Sequence, residues 1–227
     1  MTVEARTRSI RRGAERRSGQ AMATRRYDPE AARDDILDAA EHLFADNGFD
    51  GVSTAAIAKE AGVSQSQIHY HFDTKQKLWD KVFERRFADY FAAQSALLDD
   101  REIDDMERMR NSITSYFRFF QKNPHYVKLL VRAQLAAGEG GEGEEAEAMG
   151  ELLMRKGSEV IAAAQQAGAI RGDVRPDFVI IGFLSLVSQW FQGGRHLILD
   201  HDAGEQAEHD EAYLDFIIRA YLQGISP

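Results

Sequence analysis

From Pro29 onward the apolar residues of this 227-residue chain recur at helical spacing almost without a break, and no stretch alternates as a half-buried strand would. In "PEAARDDILDAAEHLFADNG", Ile36, Ala40, Leu43 and Phe44 fall at i, i+4, i+7 and i+8, and Gly48 stops the run. The same reading predicts helices in "STAAIAKEAG", "SQSQIHYHF", "KQKLWDKVFERRFADYFAAQSALL" and "DDMERMRNSITSYFRFFQKN", the last stopped by Pro124. "PHYVKLLVRAQLAAG", "EAMGELLMRKGSEVIAAAQQAG", "FVIIGFLSLVSQWFQGGRHLIL" and "EAYLDFIIRAYLQGI" complete the set. The expected fold is all-α, with about nine helices. "GEGGEGEE" (138–145) is read as a surface loop and "AIRGDVRPD" as a turn.

Charge divides the chain further. Residues 1–26 hold eight arginines against Glu4 and Glu15, although the whole chain is at −9. Local field selects partners more than net charge does, so the positive end is notable. Residues 1–27 lack apolar periodicity and are expected to be a disordered basic arm. Met22 offers a second start, from which only Arg25 and Arg26 of the arm would survive. The absence of cysteine excludes disulfides and thiolate metal sites and fits a reducing, cytoplasmic setting. The longest apolar run, "FVIIGFLSLV", is too short to cross a bilayer, which needs roughly 20 apolar residues.

Two short helices joined at Gly62, framed by Ala58, Ala61, Val63 and Ile68, have the proportions of a helix-turn-helix. On a 100° wheel Ser64, Ile68 and Phe72 share one side of the second helix, while Ser66, Gln67, His69 and Tyr70 face the other. That split suits a helix lying in the major groove. Gln65 and Ser66 stand at its start, where side chains reach base edges, and glutamine can pair with adenine in bidentate fashion. His69 and Tyr70 have the length to reach phosphates, Lys75 can supply a charge, and Thr54 a hydroxyl or N–H. A zinc site on His69 and His71 fails, because residues two apart on a helix point roughly 200° apart. His71 reads instead as a packing residue at the helix end.

The run "ILDAAEHLFADNGFDGVSTAAIAKEAGVSQSQIHYHFDTKQKL" (36–78), with its "AGVS…I-x-Y-H-F…K-x-x-L" pattern, resembles the DNA-binding domain of the TetR (tetracycline-repressor) family. The resemblance implies base contacts from Gln65, Ser66 and Gln67, and phosphate contacts from Thr54, His69, Tyr70 and Lys75. It departs from the family at His69, where tyrosine is frequent, so a pH-dependent DNA affinity is expected. Ala55 offers no base contact. The expected layout is a three-helix DNA-binding domain over 28–74 and a helical effector-binding and dimerisation domain over 75–227.

One helix-turn-helix buries too little DNA for tight specific binding, so a homodimer on a palindromic operator in double-stranded DNA is expected. Residues 178–191 are apolar on nearly all sides, and the last helix carries two apolar stripes. Together they predict a four-helix interface between two copies. The resemblance also implies a pocket for a small-molecule effector, here of hydrophobic type, with Phe117, Phe120, Tyr126, Met154, Phe183 and Trp190 as candidate lining. Repression relieved by that ligand is likewise what the family implies. No nucleophile elbow, P-loop, G-x-G-x-x-G or metal-ligand spacing appears, so neither an enzyme nor a cofactor or metal is expected. The competing reading is a ligand-independent DNA-organising or division-control protein on the same scaffold.

Overall fold

The computed structural model describes residues 28–135, 143–197 and 203–227. The arginine-rich arm, Met22 and most of the glycine-acidic stretch lie outside the described residues. Within them the chain is helical, with no strand: α1 (Pro29–Asn47), α2 (Thr54–Glu60), α3 (Gln65–Phe72), α4 (Lys75–Asp99), α5 (Asp105–Lys122), α6 (Pro124–Leu135), α7 (Glu144–Gln166), α8 (Pro176–Gln192) and α9 (Ala203–Ile225). A short 3-10 turn, Gly194–Leu197, follows α8.

Local chemistry sets the starts of these helices. Asp28 accepts from the N–H groups of Glu30 and Ala31 at 3.0 and 3.3 Å, and Pro29 opens α1 with its φ already helical. Ser53, Thr74 and Asp104 accept in the same way at the starts of α2, α4 and α5. Three boundaries differ from the sequence reading. α7 takes in Glu144, Glu145 and Glu147 as its first turn, where carboxylates are favoured by the unpaired N–H groups and helix dipole, so the stretch read as a loop is helical from Glu144. α8 ends at Gln192 rather than running through Leu199, because Gly193 and Gly194 contribute no helix propensity and the chain tightens into the 3-10 turn. α9 begins at Ala203, eight residues ahead of Glu211, where the sequence reading starts it.

The head is built from α1, α2 and α3, with Ile36, Ala40, Phe44, Ile57 and Ile68 essentially inaccessible. α4 ties it to the rest. At 25 residues it is about 37 Å long, and its first turns pack Leu78, Trp79, Val82 and Phe83 into the core. Arg85 and Arg86 of α4 bond the buried Glu41 carboxylate of α1 at 3.1 and 2.5 Å. From the other side α6 reaches α1: Arg132 donates to the Ala45 carbonyl at 2.9 Å and Lys128 pairs with Asp46 at 2.7 Å. Successive ring contacts of 5.0–5.7 Å run from Phe44 through Trp79, Phe83, Tyr126 and Phe119 to Tyr90 deep in the body.

In the body, α4 packs along α7 and α5, and α8 packs against α7, α5 and α6. α8 and α9 are joined by Trp190, whose Nε1 donates to the buried Asp210 carboxylate at 2.7 Å and whose ring stacks on Tyr213 at 4.1 Å. α8 buries Val179, Ile180, Phe183 and Val187 inward but leaves Phe178, Ile181 and Leu186 exposed. Phe216 of α9 is 60% exposed. No helix among the described residues is long and apolar enough to cross a membrane.

Candidate DNA-reading face and effector cavity

The turn between α2 and α3 rests on Gly62, at φ +68°, a conformation that penalises a Cβ even though the space around it is open. The N–H of Val63 reaches back to the Ala58 carbonyl at 3.0 Å and closes the turn. Ile68 and Phe72 are buried, which turns Gln65, Ser66, His69 and Tyr70 outward; Tyr70 is 77% exposed. Ile68, Phe72, Ser66, His69 and Tyr70 fall as the wheel predicted, whereas Ser64, placed on the packed side, is exposed at the helix start, and Gln67, placed on the outward side, is half-buried like His71.

Several of these outward groups are already engaged. Gln65 Nε2 donates to the Thr54 hydroxyl at 2.8 Å, which joins a candidate base reader to a candidate phosphate contact across the turn. Gln67 Oε1 accepts from the Ser64 N–H at 2.8 Å and its hydroxyl at 3.1 Å, in a capping box that fixes the start of α3. Ser66 Oγ lies 2.9 Å from Ser64 Oγ. His69 Nδ1 stands 3.0 Å from the Asp73 carbonyl, which can only accept, so Nδ1 is the donor in that bond. His71 is in ring contact with Tyr70 and Phe72, consistent with packing at the end of α3.

Lys75 is placed differently from a free surface cation. Its ammonium donates to the Phe49 and Val52 carbonyls at 3.0 and 3.1 Å and sits 4.1 Å from the Phe49 ring centroid. It therefore fastens the loop between α1 and α2 to the start of α4. The Asp73 carboxylate pairs with Lys77 at 2.8 Å, and this ammonium holds it below its ordinary range. Residues 28–74 carry only Arg33 and Lys59 against ten acids, so α3 itself offers hydrogen bonds more than charge.

A second feature lies in the body. A partly open cavity of about 180 Å³ is lined by α4, α5, α7 and α8. Of the candidate lining, Met154 and Phe183 face it. Phe117, Phe120, Tyr126 and Trp190 do not. They are buried in the core instead, with Phe117 and Phe120 against Phe191, and Tyr126 against Phe83. Hydrophobicity alone could not separate wall from core. The sequence reading missed the polar wall: Gln94, Arg108 and Ser112 are all buried and all line the cavity. The signal was available, since Gln94 falls four residues after Tyr90 on the stripe that also carries Trp79 and Phe83. Tyr90 also lines the cavity, and burial pushes its hydroxyl well above the ordinary tyrosine range, so it stays protonated. Among the described residues no cluster of histidine and carboxylate side chains could hold a metal ion.

Comparison with known proteins places these features. Residues 36–82 match the family described as bacterial regulatory proteins, tetR family. The chain is 26% identical over 201 residues to the HTH-type transcriptional repressor NicS of Pseudomonas putida, covering 86% of this chain and 93% of that protein. Over 99 residues it is 30% identical to the nucleoid occlusion factor SlmA of Aliivibrio fischeri, covering 43% of this chain and half of that protein. In fold it resembles the ketosteroid transcriptional regulator KstR2 of Mycobacterium tuberculosis, with a TM-score of 0.65 at 19% identity over 86% of this chain and 95% of that one.

Proposed function

The chain belongs to the TetR family of bacterial regulatory proteins and is a DNA-binding transcriptional regulator rather than an enzyme, and from that premise we propose that it is a homodimeric cytoplasmic repressor released from a palindromic operator by a small, largely apolar ligand. The observation that carries the reading is the two-sided α3. Its apolar side is locked into the head, and Gln65, Ser66, His69 and Tyr70 stand out from it together. In the groove Gln65 and Ser66 read base edges, joined by the free amide N–H groups of Gln67. Thr54, His69 and Tyr70 contact phosphates, while Lys75 holds the loop beside them and adds its charge.

The exposed apolar side chains Phe178, Ile181 and Leu186 of α8 and Phe216 of α9 support a two-fold interface that would hold the two heads at half-site spacing. The cavity supports ligand control: α4 forms one of its walls and runs on into the head. A division-control role has the partial likeness to SlmA in its favour, but a partly open, mainly apolar cavity with a few polar groups in its wall fits a ligand-responsive regulator better.

The test is a fluorescence-anisotropy titration of the full chain on DNA from upstream of its own gene at several salt concentrations. A Gln65→Ala/Tyr70→Ala variant serves as the control. Tight binding that the double variant loses is the expected result. Equal binding by both proteins, or binding indifferent to sequence, would overturn the reading.

A further inference from the structure

The cavity has one polar end, and its chemistry is specific. Arg108 donates from one terminal nitrogen to Asp105 at 2.6 Å and from the other to the Asp100 and Ile103 carbonyls, the latter at 3.2 Å. Its Nε is buried with no hydrogen-bond partner. Gln94 Nε2 donates to Ser112 Oγ at 2.9 Å, and its Oε1 is likewise buried with no partner. Turning the amide over would leave its nitrogen unpartnered instead, since a hydroxyl can serve either end. Gln94 is 5% exposed and Arg108 8%, and both residues belong to the cavity wall, although the two unmet atoms themselves are sealed from it, so a ligand meets them only by drawing these side chains toward the chamber. A buried polar atom without a partner costs free energy unless a ligand or water meets it.

Three physical constraints define what meets it. The first is size: a cavity of roughly 150 Å³ accommodates benzene, so 180 Å³ holds about one ring with a small substituent. The second is charge. The guanidinium is already paired with Asp105, so a ligand carboxylate would put a second negative charge in an apolar chamber with no free cation to offset it. A ligand ammonium would meet Arg108. The third is hydrogen-bond sense. Arg108 Nε can only donate, whereas the open end of Gln94 accepts or donates with its amide orientation; a hydroxyl satisfies both.

Building on the regulator reading above, we infer that the effector of this protein is a compact, uncharged molecule of about one ring, apolar except for a hydroxyl bound by Gln94 and Arg108 at the polar end of the cavity. The apolar remainder lies against Met109, Met154, Ile180 and Phe183.

The experiment is calorimetry on the full chain with phenol as the probe, beside benzene, benzoate and decanoate. Phenol is expected to bind about tenfold tighter than benzene or benzoate, the worth of one well-made buried hydrogen bond. Gln94→Leu should bring phenol down to the level of benzene. Gly150 lines the cavity and a Cβ there meets nothing within 4 Å, so Gly150→Leu should fold normally and lose all binding. Tighter binding of benzoate would mean an anion site, and tighter binding of decanoate a chamber that opens to long chains; either overturns the inference. So would failure of every probe on a chain that still binds its upstream DNA, with the regulator reading left intact. Phenol binding by a chain that binds no DNA would sink the regulator reading and leave the chemistry of the cavity standing.

Discussion

Gln67 serves two functions that a substitution can separate. Its Oε1 caps Ser64, while its half-buried side chain borders the face proposed to read DNA. A capping box accepts glutamate as readily as glutamine. Gln67→Glu should therefore leave the melting temperature unchanged and weaken operator binding by about tenfold or more, since a carboxylate then faces phosphates. Gln67→Ala should lower stability by about 0.5–2 kcal/mol as well. Anisotropy and thermal melts on the pair distinguish the two effects. Lys75 poses the opposite question. With two carbonyls and a ring around its ammonium, Lys75→Met should cost about 1–3 kcal/mol in urea denaturation. Unchanged stability with lost DNA affinity would return Lys75 to a purely phosphate-binding role. At His69 the bond from Nδ1 to the Asp73 carbonyl fixes the ring. His69→Phe removes any bond from Nε2 to a phosphate, and operator affinity measured by anisotropy should fall about tenfold. Unchanged affinity in that variant would remove His69 from the DNA contacts.

At the scale of the helix, glycines mark where packing overrides propensity. Gly150 and Gly182 are both helical, and each costs roughly 1 kcal/mol relative to alanine in an open helix. A Cβ at Gly150 meets nothing, so Gly150→Ala should stabilise the protein by about 0.5–1 kcal/mol. A Cβ at Gly182 would lie 2.8 Å from the Tyr221 hydroxyl and 3.1 Å from its ring. That hydroxyl donates to the Val179 carbonyl, and burial pushes it up to about 12, so it remains a donor. Gly182→Ala must displace Tyr221 and should come out destabilising by about 1 kcal/mol in the same assay. Both residues look alike in the sequence; only the partner helix distinguishes them. The helices themselves were legible because apolar period, prolines at helix starts and capping side chains agree. The overrun of α8 came from following hydrophobicity past Gly193 and Gly194, where backbone freedom ends the helix.

For the whole molecule, the exposed apolar side chains on α8 and α9 bear on assembly. Phe216→Arg leaves the buried side of α9, with Leu214, Ile217, Ile218 and Leu222, intact. Light scattering should find this variant monomeric and folded where the parent is dimeric. Its operator affinity should fall at least about 100-fold, because each head then binds one half-site alone. A variant that stays dimeric would place the interface elsewhere.

Period, caps and the short motif between Ile36 and Leu78 determined the helical fold of the described residues, the outward face of α3 and the match of residues 36–82 to the tetR family, because these depend on neighbours three or four residues apart. Only the tertiary structure decided which aromatic side chains are core and which line the cavity, that Lys75 closes on two carbonyls 23 and 26 residues away, and that Gln94 and Arg108 share one apolar chamber with a polar atom unmet on each. Those outcomes are set where separate helices meet. Burial and hydrogen-bond satisfaction there depend on side chains far apart in the chain, which local periodicity does not record.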